Sequence, residues 1–259
     1  MKKMIALMLA VLMTLTLFAA CGAKEGSDLA AVKKAKKIVV GITDYAPMDY
    51  KDDNGEWTGF DAEFARLFAA ELGVEVEFFV LSDWGQKFYE LETKNIDCVW
   101  NGMTITEEAL LNASVSDPYV VNAQVIVMKA DAVANYPDTD SIKGLSFAVE
   151  SGSAGEAALV DLGITGFTAL QDQTSALMEV KAGTAEACVI DITMAGAMTG
   201  EGTNYADLAP GISLTSEEYG VAFRKDSDLT AKFNEFMAKL IADGTLQQLA
   251  DKYQLTLAK

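Results

Sequence analysis

The chain has 259 residues, 51% of them hydrophobic, and sets 38 Asp and Glu against 20 Lys and Arg for a formal charge of −18. So acidic a balance argues against nucleic acid and against electrostatic adhesion to anionic lipid. The sequence contains no histidine, which excludes Ser-His-Asp and Cys-His catalysis and the usual zinc enzymes.

In chain order, Lys2 and Lys3 precede an apolar run from Met4 to Phe18, and "FAAC" follows at 18–21. This pattern predicts a secretory signal peptide over 1–20 with a small-residue cleavage site. Cys21 directly after Ala19 and Ala20 reads as a lipobox cysteine, expected to be acylated; a plain signal peptide with an incidental cysteine is the alternative. No other segment has the apolar length to span a bilayer, so attachment to the membrane is expected through lipid alone. The stretch 21–37, small and charged, reads as the lipidated N-terminus and a tether that could end in a short helix.

From Ile38 onward, short apolar strands alternate with amphipathic helices, the signature of an α/β fold with largely parallel sheets. "IVVGI" (38–42) predicts the first strand. "GFDAEFARLFAAELG" (59–73) predicts a helix capped by Asp61, with Phe64, Leu67, Phe68 and Leu72 on one face and Gly73 as its stop. A strand at 74–80, a helix at 85–95 and strands at 96–100 and 123–129 follow.

A second round then begins, with strands at 145–149, 166–170 and 187–191 and helices near 153–162 and 174–182. "KNIDCVWNGMT" and "TAEACVIDITM" resemble one another weakly, aligning Cys98 with Cys188 and Asn101 with Asp191, which suggests two lobes of like design. Both cysteines sit in apolar strands and read as buried free thiols. The tail predicts a strand at 220–226, a helix at 229–244 with Leu229, Phe233, Phe236, Leu240 and Ile241 facing inward, and a last helix.

Loops after the strands are rich in Gly, Ser, Thr, Asp and aromatic residues: "TDYAPMDY" (43–50), "LSDWG" (81–85), "NGMTIT" (101–106), "ESGSAG" (150–155) and "DITM" (191–194). In open α/β sheets ligand contacts come from such loops, and two lobes bind in the cleft between them. A small-molecule cleft is therefore expected, with no metal and no cofactor.

"NGEWTGFDAEFARLFAAELGVEVEF" (54–78), "NIDCVWNGMTIT" (95–106), "SDPY" (116–119), "GLSFAVESGSAGE" (144–156), "CVID" (188–191) and the tail from "EEYGVAFRKD" (217–226) to "ADGTLQQLADKY" (242–253) resemble the extracellular solute-binding proteins of polar amino acid ABC importers. The resemblance covers nearly all of 38–255 and implies the two-lobed type II periplasmic-binding fold, each lobe a mostly parallel sheet flanked by helices. It implies lobe 1 from 38–120 plus 218–259, lobe 2 from 121–217, and hinge crossings near 120–124 and 216–219.

The implied protein is a lipoprotein at the outer face of the cytoplasmic membrane, a monomer that captures an amino acid or amine and delivers it to a permease. By the same resemblance, Tyr45 and Trp84 wall the ligand, while Asn101, Gly102, Met103 and Thr104 form its floor. Ser153 and the amides around it suit a negative group, and Asp191 holds the ligand's amino group unless it serves only as a helix cap. Two departures stand out. The Arg expected to grip the ligand carboxylate is Ala109, and a position that sometimes carries Lys is Glu150. With Asp44, Glu150 and Asp191 in the pocket, no base evident there, and Arg66 and Arg224 read as surface residues, a cationic or carboxylate-masked ligand is expected. Tyr50 and Trp100 are further aromatic candidates to meet a cation. The rival expectations are a cyclohexadienyl or arogenate dehydratase-like enzyme, with Glu150 as general acid, and a ligand sensor.

Overall fold

The computed structural model of the protein describes residues 26–259; the expected signal peptide and the lipidation position Cys21 lie outside them. Helix α1 (Asp28–Ala35) leads into β1 (Lys37–Ile42). The expected tether is thus in part a docked helix. Ser27 caps α1, donates its hydroxyl to Asp228 at 2.5 Å, and Val32 is buried beneath. A small hairpin, β2 (Tyr50–Lys51) and β3 (Trp57–Thr58), precedes α2 (Phe60–Leu72) and β4 (Glu75–Val80).

The cap of α2 is Gly59, not Asp61. Asp61 falls inside the first turn, and its buried carboxylate accepts from the Gly102 amide at 2.6 Å and the Tyr119 hydroxyl at 2.8 Å. The inward face of α2 comprises Phe60, Phe64, Phe68 and Leu72; Leu67, expected there, is exposed. Instead of one helix at 85–95, a single 3-10 turn (Trp84–Gln86), capped by Asp83, runs into the short α3 (Lys87–Glu92).

β5 (Cys98–Val99), α4 (Glu107–Asn112) and β6 (Ser114–Val115) complete the first pass through lobe 1. The chain then leaves by β7 (Val120–Asn122) and enters a second sheet through β8 (Gln124–Lys129), β9 (Phe147–Glu150), α5 (Ala154–Asp161), β10 (Phe167–Leu170), α6 (Gln173–Ala182), β11 (Ala187–Asp191), α7 (Ile192–Met198) and β12 (Leu208–Ser213). It returns by β13 (Glu217–Tyr219), which pairs antiparallel with β7, and ends with β14 (Ala222–Phe223), α8 (Asp228–Ala242) and α9 (Thr245–Lys252). Ile241, expected on the inward face of α8, is exposed.

The sheets run β4-β1-β5-β14-β6 and β10-β9-β11-β8-β12. In each, four strands share a direction and the fourth in order runs against them. Cys98 and Cys188, free and buried, occupy the central strand of their respective sheets, β5 and β11. The lobe 1 core is aromatic: Trp100 meets Phe64 and Phe233, each with ring centroids 4.9 Å away.

Arg224 is not on the surface. Its Nε is 3.0 Å from Asp28 and its Nη2 is 2.9 Å from Asp97, with the arginine side chain 11% exposed. It ties α1 to the far edge of lobe 1, away from the cleft. Arg66 is exposed and donates to the Trp57 carbonyl at 2.6 Å.

Candidate functional site

The loops at the carboxyl ends of β1, β5, β9 and β11 meet between the lobes around a cavity of about 440 Å³. All ten expected site residues line it: Asp44, Tyr45, Trp84, Asn101, Gly102, Met103, Thr104, Glu150, Ser153 and Asp191. Strand direction explains this convergence, since parallel strands deliver successive loops to one edge.

Gly102 sits at φ 57°, in the left-handed region, held from below by Asp61. A Cβ on it would lie 2.6 Å from Cε1 of Tyr45 and 3.1 Å from Cε2 of Tyr219, so only glycine lets these rings close over the floor. Asn101 is locked by Thr43, accepting from its amide at 2.9 Å and donating to its hydroxyl at 2.6 Å. Thr104 donates its hydroxyl to Glu217 at 2.8 Å. Ser153 caps α5, its hydroxyl accepting from the Glu156 amide at 3.1 Å. Met103 and Trp84 are buried in the wall with Ala109, which packs among them as an apolar residue. Asp44 lies exposed at the rim.

Asp191 stands at the N-cap position of α7 but makes no side-chain cap bond. Its Oδ1 accepts from Asn122, from Gln124 at 2.8 Å and from the Tyr219 hydroxyl at 2.9 Å, and its Oδ2 accepts from Gln173. Burial first, then the nearby Glu217, raises its pKa to about 6. Glu150 is buried; desolvation, followed by the charge of Asp191, pushes it up to about 8, with Gln173 acting to lower it.

The expectation of a pocket without a base is corrected by Lys87. This lysine, the first residue of α3, lines the cavity and is 5% exposed. The sequence signal was its position one helical turn after Trp84, which puts both side chains on one face. Glu107, Glu108, Asp161, Gln124 and Gln173 also line the cavity and were not among the expected residues. Tyr50 and Trp100 do not line it: Tyr50 belongs to the β2–β3 hairpin and Trp100 is wholly buried in the lobe 1 core.

The lobes touch on both sides of the cavity. Nζ of Lys87 donates to the Gly152 carbonyl at 3.3 Å, and a Cβ on Gly152 would stand 2.9 Å from Cα of Gly85. On the other side the Tyr45 hydroxyl is 2.6 Å from Oγ1 of Thr193. The cleft is closed.

The profile of the family described as bacterial extracellular solute-binding proteins, family 3, matches residues 38–256. The arginine-binding extracellular protein ArtP of Bacillus subtilis is 29% identical over 98% of both chains. A crystal structure of a mutant ArgBP from T. maritima superposes with a TM-score of 0.81 at 31% identity, covering 87% of this chain and 98% of that one. A crystal structure of an ancestral amino acid-binding protein, described as a precursor of cyclohexadienyl dehydratase, gives a TM-score of 0.80 at 31% identity over 88% and 99% of the two chains.

Proposed function

The chain belongs to the bacterial extracellular solute-binding proteins, family 3, and on that premise we propose that it captures an amino acid or amine carrying positive charge and hands it to an ABC permease. One observation carries the charge assignment. The cavity lining holds six carboxyl groups (Asp44, Glu107, Glu108, Glu150, Asp161 and Asp191) against the single ammonium of Lys87, an acidic excess that stands even while Glu150 keeps its proton. A cation entering there is favoured by the summed field, and an anionic side chain is repelled. The first relative reported above is an arginine-binding protein, which fits this reading.

The ten expected residues are proposed as its contacts: Tyr45, Trp84 and Met103 as walls, Asn101, Gly102 and Thr104 as floor, Ser153 and Asp191 from lobe 2, and Asp44 and Glu150 as charge. Capture works by closure. Ligand contacts with both lobes bias the equilibrium towards the closed form, with β7 and β13 as the crossing strands. Lobe 1 is proposed as 38–120 plus 218–259 and lobe 2 as 121–217. Acylation at Cys21, a monomeric state and a position tethered at the outer membrane face complete the proposal.

Binding without catalysis is the reading for the cleft. A second reading, a dehydratase-like enzyme, draws on Glu150, because a carboxyl held up to about 8 retains a proton to donate at neutral pH. Ligand recovered chemically unchanged after prolonged incubation excludes it. The ligand class is tested by calorimetry across acidic, neutral and basic amino acids and simple amines. Tight binding of basic ligands is expected; tight binding of glutamate or aspartate, with none for cations, overturns the proposal.

A further inference from the structure

Lys87 is a buried ammonium without an ionic partner. None of the ion pairs among the described residues includes it. Its Nζ reaches only two backbone carbonyls, Trp84 at 3.4 Å and Gly152 at 3.3 Å, both long for bonds from a charged donor. The rings of Trp84 and Phe88 lie beneath it, with centroids 4.8 Å and 5.0 Å away. An ammonium has three N–H donors, so one remains for the cavity that Lys87 lines. A charge left this way out of water is unfavourable until an anion reaches it.

The cleft's own carboxylates do not meet that need. Asp191 is committed to four protein donors. Burial lowers the Lys87 pKa, and the charges of Glu108 and then Glu150, both on the lining of the same cavity, oppose that shift, yet neither forms an ion pair with it. The closed cleft therefore places a buried cation and a buried carboxylate, not paired with each other, on the lining of one cavity of about 440 Å³. Such a pair complements a zwitterion.

We propose that Lys87 binds the free carboxylate of an amino-acid ligand while Glu150 receives its ammonium. The cleft then selects the intact amino acid over the same molecule with its carboxylate masked. This inference rests on the cationic-ligand reading and narrows it to basic amino acids with a free carboxylate. Lys87 also joins capture to closure: a carboxylate gripped from lobe 1 sits beside the Nζ contact to the Gly152 carbonyl of lobe 2.

Calorimetry of the wild-type protein with arginine and argininamide, and with lysine and lysinamide, tests it. A charge-assisted contact of this kind predicts a preference of about 10-fold or more for the free acid. In Lys87→Met that preference collapses to within about threefold, while affinity for the amides is retained or improved because one repulsive ammonium is gone. Equal wild-type affinity for acid and amide overturns the inference and leaves the cationic-ligand reading standing. So does a folded Lys87→Met protein that keeps the preference. If neither acid nor amide binds, both fall. The wild-type pair decides the matter even if the variant does not fold.

Discussion

The Tyr45 hydroxyl of lobe 1 and the Thr193 hydroxyl of lobe 2 stand 2.6 Å apart, and the same phenol is 2.5 Å from the hydroxyl of Tyr219. Tyr219, on the returning hinge strand, donates to Asp191 at 2.9 Å. One chain of hydroxyls thus joins the interlobe contact, the hinge and the carboxylate of Asp191. Replacing Tyr45 with Phe keeps the ring over Gly102 but removes the bridge. Both contacts of the Tyr45 hydroxyl are lost, but only the one to Thr193 reaches lobe 2, and the Thr193–Tyr219 contact at 2.9 Å remains, so closure loses one hydrogen bond, about 1 kcal/mol. Ligand affinity is expected to fall about fivefold, with a larger radius of gyration for the ligand-free protein in small-angle scattering. Unchanged affinity and radius would show that this contact does not hold the lobes together.

Glu150 gives the protein a pH dependence with a definite sign. Its folded pKa of about 8 lies above the ordinary 4.5, chiefly through burial and then through the charge of Asp191, with Gln173 and Lys87 opposing and Asp172 adding to the rise. The stabilising contribution is therefore fully present below about pH 4.5 and is lost as pH climbs through about 8. The ligand-free protein should lose more melting temperature between these limits than Glu150→Gln does.

Cation binding works in the opposite direction, since it favours the ionised carboxylate. Affinity for a basic ligand should rise with pH up to about 8 and level off above it. At neutral pH, calorimetry in buffers of different ionisation heat should register proton release on binding. Asp191, raised to about 6 by burial and Glu217, adds to the lower part of that rise. A flat profile in the wild-type protein, or one unchanged in Glu150→Gln, contradicts the placement of a cation at Glu150.

Arg224 predicts a separation of stability from binding. Its guanidinium serves two carboxylates, Asp28 and Asp97, that are themselves 11% and 19% exposed. Arg224→Met leaves both without their cation, at a cost of about 3 kcal/mol or more. Denaturant unfolding should show that loss, while ligand affinity stays within about twofold because Arg224 does not line the cavity.

Gly102→Ala should do the reverse. The added Cβ meets Tyr45 at 2.6 Å on a backbone already at φ 57°. Overpacking of this kind costs about 1–3 kcal/mol, and it displaces the ring that closes the cleft. A loss of affinity larger than the loss of unfolding free energy is expected; equal losses would make the position purely structural.

What the sequence determined by itself is local in origin. Period-two and period-3.6 patterns carry the alternation of strands and helices, and parallel strand direction carries the clustering of their loops. That is why Asn101 and Asp191, 90 positions apart in the sequence, could both be expected in one cleft. Where local pattern was ambiguous, packing decided: Leu67 and Ile241 fit helical stripes yet face solvent, and Asp61 reads as a cap yet anchors Gly102 from below.

The charge of the cleft was decided only by tertiary structure. Lys87 looks like any helix lysine until lobe 2 brings the Gly152 carbonyl to 3.3 Å from its Nζ. Arg224 looks like a surface residue until α1, some 196 positions away, supplies Asp28. A side chain's chemical type is written in the sequence. Its partners and its burial, which set what that type can do, arise from segments distant in sequence that meet only when the chain folds, as at Arg224, or when the lobes close, as at Lys87.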